Sequence, residues 1–315
     1  MKRNEQMTAA LLVAALAAFG CSKTDKTPQT QTQSQHTEQT TQAIPVSITN
    51  DTTGDKGLNT TATKIVGPVS FADGEAAYKA GNFSEATKLF QQYTGQKPLN
   101  VWGHFMLGLS ASKSGDLAKA ETAFEEALRI DPDHIKSLVN LSRLLIEQRR
   151  FDDALGKLEH AGDIDPTSAE VYRLLGRTYA AQGRMDDSIE AYREAIALNN
   201  NDAWSMNNLG LIFLERGCFN DALPLLAKAV ELRKDTATFH NNLGMALEHT
   251  GRFAAAASEY KGAINADPDF EKAKRNLARV EAVKVDSEEP FNLEETAKGF
   301  IEQPQIPVPD TNASR

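Results

Sequence analysis

From Gly67 to Phe270 the chain repeats itself every 34 residues with no insertion, and that period narrows the choice of fold more than any other feature. Copies begin at Gly67, Val101, Ile135, Ala169, Ala203 and Ala237. Position 8 of each copy holds Gly74, Gly108, Ser142, Gly176, Gly210 or Gly244, and position 20 holds alanine except for Ser188. Position 27 is alanine from Ala127 onward, with Tyr93 in the first copy. Bulky side chains recur at position 7 (Leu107, Leu141, Leu175, Leu209, Leu243) and position 24 (Phe90, Phe124, Leu158, Tyr192, Leu226, Tyr260). Small residues that alternate with large ones at helical spacing let two antiparallel helices approach closely. Pro98, Pro132, Pro166 and Pro268 then stop the second helix, while Asn200 and Lys234 depart from that pattern. A unit of this length cannot bury its apolar face alone, so successive units must stack.

These residues resemble the tetratricopeptide-repeat family over 67–270, about two-thirds of the chain. The resemblance implies an all-α, right-handed α-solenoid of six helical hairpins. The first copy is degenerate, with Asp73 where leucine belongs, as suits a terminal unit open on one side. Residues 271–284 restart the first-helix pattern at Leu277 and Ala278 amid charges, which predicts a solvating cap helix. The remainder, 285–315, has seven acids against two bases and four prolines. Within it Leu293, Ala297, Phe300 and Ile301 fall on one helical face, and Asn292 with Glu295 reads as a capping box, so a short helix is expected over 292–302. Its apolar stripe needs a surface, on its own solenoid or on a partner, and the acidic tail with the mid-groove arginines described below favours its own solenoid.

The N-terminus reads as an address. Lys2 and Arg3 precede an apolar run of 13 residues, Met7–Phe19, which is too short to span a bilayer. Ala18-Phe19-Gly20-Cys21 resembles a lipobox, so residues 1–20 are expected to be a signal peptide and Cys21 the lipidated residue. Ser22 in place of the aspartate of inner-membrane lipoproteins favours outer-membrane sorting in a Gram-negative host. The Thr/Gln-rich stretch up to residue 66 lacks any apolar period and is expected to be a disordered tether. As a flexible coil it would span roughly 35–40 Å.

No catalytic constellation is visible. The six histidines lack metal-ligand spacing, no glycine-rich phosphate loop follows a strand, and two cysteines make no disulfide framework. A net charge of −9 argues against nucleic acid. The chain is therefore expected to be no enzyme, with no metal, cofactor or small-molecule substrate. Cys218 falls in a turn between helices, where a half-buried small residue is expected.

By the family resemblance, first helices line a concave groove. Position 6 carries Asn140, Asn208, Asn242 and, in the cap, Asn276, which resembles the asparagine ladder that grips a peptide backbone. Position 2 carries Trp102 and Trp204, as anchors for apolar side chains or as packing. Arg143, Arg173 and Arg177, with Lys136, form a basic spot suited to a carboxylate, although Glu147 and Glu170 lie near enough to neutralise it. The Lys/Asn/Arg carboxylate clamp of chaperone adaptors is not reproduced. The expected partner is another protein, as an extended peptide in the groove, with a membrane reached through the lipid. Signal plus repeats resembles lipoproteins of the bacterial envelope, on the periplasmic face of the outer membrane, that assemble type IV or tight-adherence pili. Adaptors of peptidoglycan enzymes or proteases, or a cytoplasmic co-chaperone if the signal is not processed, are the alternatives.

Overall fold

The computed structural model describes residues 68–283 and 290–299, so the expectations on residues 1–66, Phe300 and Ile301 lie outside the described residues. Among those described, fourteen helices and no strands form. Six hairpins come first: α1 (Phe71–Lys79) with α2 (Phe83–Gln96), α3 (Val101–Lys113) with α4 (Leu117–Ile130), and α5 (Ile135–Glu147) with α6 (Phe151–Ile164). They continue as α7 (Ala169–Ala181) with α8 (Met185–Leu198), α9 (Ala203–Glu215) with α10 (Phe219–Leu232), and α11 (Ala237–His249) with α12 (Phe253–Ala266). After them come α13 (Glu271–Glu281) and α14 (Leu293–Lys298). In each hairpin the odd-numbered helix is called A and the even-numbered B.

Positions 8 and 24 meet within each hairpin, which is why one is small and the other large. A Cβ placed on Gly108 would lie 2.5 Å from Phe124 Cε1, and one on Gly244 2.6 Å from Tyr260 Cε1. Ordinary carbon contacts are about 3.5–4.0 Å, so glycine is demanded by packing rather than by backbone conformation. Ser142 is accommodated because its Oγ turns back to donate to the Leu138 carbonyl at 2.7 Å. Ser188 at position 20 donates to the Gly176 carbonyl at 2.7 Å and so ties B to A. Between the helices the chain turns through a left-handed residue, as at Gly183 with φ +77°. In the third hairpin Arg149 takes that place with φ 62°, a conformation that costs a side chain about 1–2 kcal/mol.

Successive A helices touch one another, whereas successive B helices do not. The stack therefore bends with the A helices along its inner row. The cap α13 closes the last hairpin: Arg279 donates through Nε and Nη2 to both Glu248 oxygens at 2.6 and 2.7 Å. Tyr260 Oη donates to the same carboxylate at 2.7 Å. Burial alone would raise the Glu248 pKa, yet these donors hold it below the usual carboxylate value. Ala273 and Val280 are the buried face of the cap while Glu271, Lys272 and Arg275 face solvent. No helix among the described residues is long and apolar enough to cross a membrane.

The short tail helix forms over 293–298, with Asn292 Oδ1 accepting from Glu295 N–H at 3.1 Å. It packs along the B helix α10, not on the arginines of the inner row. The acidic residues that suggested the groove face solvent instead: Glu294 and Glu295 are exposed, and the apolar edge of α14 does the docking. Pro224 is the sixth residue of α10, where it removes one helical hydrogen bond.

Candidate functional site

The inner row brings the position 6 asparagines into register, but ties three of them into a chain through asparagines at position 5. Asn276 Nδ2 donates to Asn241 Oδ1 at 3.0 Å, Asn241 Nδ2 to Asn242 Oδ1 at 3.4 Å, and Asn242 Nδ2 to Asn207 Oδ1 at 2.9 Å. Asn207 Nδ2 donates to Asn208 Oδ1 at 3.3 Å, and Asn208 Nδ2 to Tyr192 Oη at 3.2 Å. Five carboxamides thus link α8, α9, α11 and α13 in one directional chain. Asn207, Asn241 and Asn242 are buried, so Asn242, expected from the sequence to grip a peptide, instead packs inside the inner row; the half-buried Asn208 and Asn276 keep a second N–H for a ligand. Asn140 stands apart, its Nδ2 donating to the Lys136 carbonyl of its own helix at 2.7 Å. The position 5 partners Asn207 and Asn241 were missed from the sequence. Their signal was present as the doubled Asn-Asn at 207–208 and 241–242, 34 residues apart.

The three arginines do come together. Burial lowers the Arg143 pKa below the ordinary arginine value, and the positive charges of Arg173 and Arg177 add to that shift. They differ in what they hold. Arg173 Nη1 donates to both oxygens of Asp202, each at 3.1 Å, and the Asp202 side chain is only 2% exposed. Asp202 caps α9 as well, accepting from Ser205 N–H at 3.3 Å and Ser205 Oγ at 2.8 Å. Arg173 is therefore structural. Arg143 pairs with Glu170 and lies near Glu147, as anticipated. Arg177 is the exception: its Nε is buried without a hydrogen-bond partner, and burial lowers its pKa. An unmet buried donor costs about 1–3 kcal/mol.

The two tryptophans share a repeat position but not an environment. Trp204 is half-buried, edge-on to Phe239 with ring centroids 4.8 Å apart. Trp102 is 47% exposed and stands edge-on to Phe105 and His134 at 5.6 and 4.9 Å, with Lys136 Nζ 4.9 Å from its ring. It heads an open cleft of about 410 Å³ lined by Phe71, Glu75, Tyr93, Asn100 and Met106. His134, missed from the sequence, wedges Trp102 in place. Its Nδ1 pairs with Ser137 Oγ at 2.8 Å, and burial keeps its pKa below the ordinary histidine value. Cys21 lies outside the described residues, and Cys218 is half-buried at the N-cap of α10.

Two family models match the chain. The middle TPR-like domain of cilia and flagella-associated protein 70 matches residues 73–198, and the tetratricopeptide repeat matches 207–283. No curated protein matches. Among solved structures, the Cut9–Hcn1 hetero-tetramer of APC/C is 18% identical, covers 66% of this chain and 41% of its own, and has a TM-score of 0.59. A tetratricopeptide repeat protein from Parabacteroides merdae ATCC 43184 is 16% identical over 66% of this chain and 81% of its own, with a TM-score of 0.52. MamA from Desulfovibrio magneticus RS-1 is 22% identical, covering 51% of this chain and 91% of its own, at a TM-score of 0.48. At these identities the likeness establishes the fold alone.

Proposed function

We propose that this chain, a tetratricopeptide-repeat protein, is a protein-interaction scaffold that holds an extended segment of another protein along its A helices. The observation that carries the reading is the half-buried Arg177, which lies on the inner row beside Arg143 and whose Nε has no hydrogen-bond partner. A partner carboxylate pairs with the guanidinium there. Trp102 and its cleft take an apolar side chain, and the spare N–H groups of the half-buried Asn208 and Asn276 take main chain. Arg173 and Trp204 support that surface from beneath.

In this reading the scaffold is lipid-anchored at Cys21 and faces the periplasm from the outer membrane, where it serves assembly of a pilus or secretin machine. The basic start, the apolar run ending at Phe19 and the Gly20-Cys21 boundary support the anchor. The tether length keeps the repeats clear of the bilayer.

Photo-crosslinking in intact cells tests both halves. Probes at positions 102 and 177 should capture one partner that a probe at Glu190, on the exposed side of α8, does not. Capture at 190 alone would overturn the groove. Cys21→Ser should move the protein out of the membrane fraction, and wild type that incorporates no labelled fatty acid would overturn the anchor.

A further inference from the structure

We infer that the outer face of α10 is a second interaction surface, built for a short amphipathic helix, which the chain's own 290–299 segment occupies and masks. Three observations carry this. The first is chemical. At position 25, the outward position of each B helix, the other hairpins carry Gln91, Glu125, Glu159, Arg193 and Lys261, whereas α10 carries Ala227. Three residues earlier stands Pro224, whose ring presents an apolar surface at the expense of a helical hydrogen bond.

The second is the contact itself. Ala227 is 0% exposed, although its counterparts lie open to solvent or partly so, because α14 covers it. Ala297 is 1% exposed in the same core, and Phe291 and Leu293 pack against it. At the end of α14 a Cβ on Gly299 would come 3.9 Å from Pro224 Cβ. The recognition pattern is therefore an aromatic, a leucine two residues on, an alanine four further and a small residue after it.

The third is that the seat is larger than its occupant. A cleft of about 560 Å³ stays open between Glu231 and Lys234 on the α10 side and residues 290–294. The occupant has one helix of six residues, too short to be stable by itself. What holds it is its tether, which presents it at an effective concentration of about millimolar. A partner helix with the same apolar spacing, long enough to fill the cleft, can displace it. This surface lies on the B side of the stack and is separate from the peptide groove.

The test uses the full chain and a fluorescent peptide of residues 288–302 as probe. Ala297→Arg places a charge against Ala227 and should evict the segment. The peptide should bind this variant at least tenfold more tightly than wild type, and adding Ala227→Arg should remove the binding. Phe291→Ser with Leu293→Ser, which leaves α10 untouched, should open the site in the same way, and unchanged melting of each variant controls for folding. Equal binding to wild type and both opened variants, or binding to neither opened variant, overturns the inference. So does a wild-type dimer in light scattering that Ala297→Arg dissolves, since exchange between copies would then replace closure within one chain.

Discussion

Substituting alanine at two helical glycines, Gly176 and Gly156, should separate their stabilities by the cost of one tight contact. In the middle of a helix, glycine to alanine gains about 1 kcal/mol from propensity alone. At Gly156 in α6 an added Cβ meets nothing within 4 Å, so that gain should appear in full. At Gly176 in α7 the same Cβ would lie 2.8 Å from Tyr192 Cδ1, 2.8 Å from Cε1 and 2.9 Å from Cγ. The ring must retreat by most of an ångström. It is 2% exposed, and its Oη is the terminal acceptor of the asparagine chain, so retreat also strains the bond from Asn208. Overpacking of this kind costs about 1–3 kcal/mol. Because both variants gain the same propensity, their difference isolates the packing cost. For a domain of this size 1 kcal/mol moves Tm by about 2–4 °C. Thermal melts by circular dichroism should place Gly156→Ala above wild type and Gly176→Ala several degrees below Gly156→Ala. If Gly176→Ala melts with or above Gly156→Ala, positions 8 and 24 do not form the tight contact on which the stacking rests.

Three further outcomes follow from particular contacts. Trp102→Ala should weaken partner binding by about 2 kcal/mol or more with little change in Tm, whereas Trp204→Ala should lower Tm; titration beside a melt for each variant separates them. Arg173→Ala should destabilise by about 1–3 kcal/mol, because it strands the buried Asp202, and Arg173→Ala with Asp202→Asn should recover part of that loss in a urea titration. His240 is held through Nδ1 by Glu259 at 2.7 Å and through Nε2 by the Lys234 carbonyl at 3.0 Å. Burial disfavours its charge, yet the two acceptors outweigh burial and raise the pKa. The stability this contributes is complete below the ordinary histidine value of about 6.5 and is lost as pH rises through the folded value. Wild type should therefore lose its advantage over His240→Gln as pH rises above about 6.5, and an advantage that grows with pH would refute the assignment.

The 34-residue period settled the architecture by itself, because the small residues at positions 8, 20 and 27 and the bulky ones at 24 are local demands of one hairpin. A tight contact between helices adjacent in sequence leaves its imprint at fixed spacing, and the glycine against each aromatic ring is legible for that reason. What the inner row does with its side chains depended on neighbours a full repeat away. Asn207 and Asn242 bond each other only because successive A helices touch. The same contact turns Arg173 from a ligand candidate into the partner of Asp202. Trp102 and Trp204 share a repeat position, yet one meets His134 and an open cleft while the other meets Phe239. Period alone assigns a face; exposure is decided by the residue that the next repeat happens to put there. The seat of α14 on α10 was least legible of all. Pro224 and Ala227 break the charged outward pattern of the B helices, but a missing charge points to nothing until tertiary structure brings Ala297 against it.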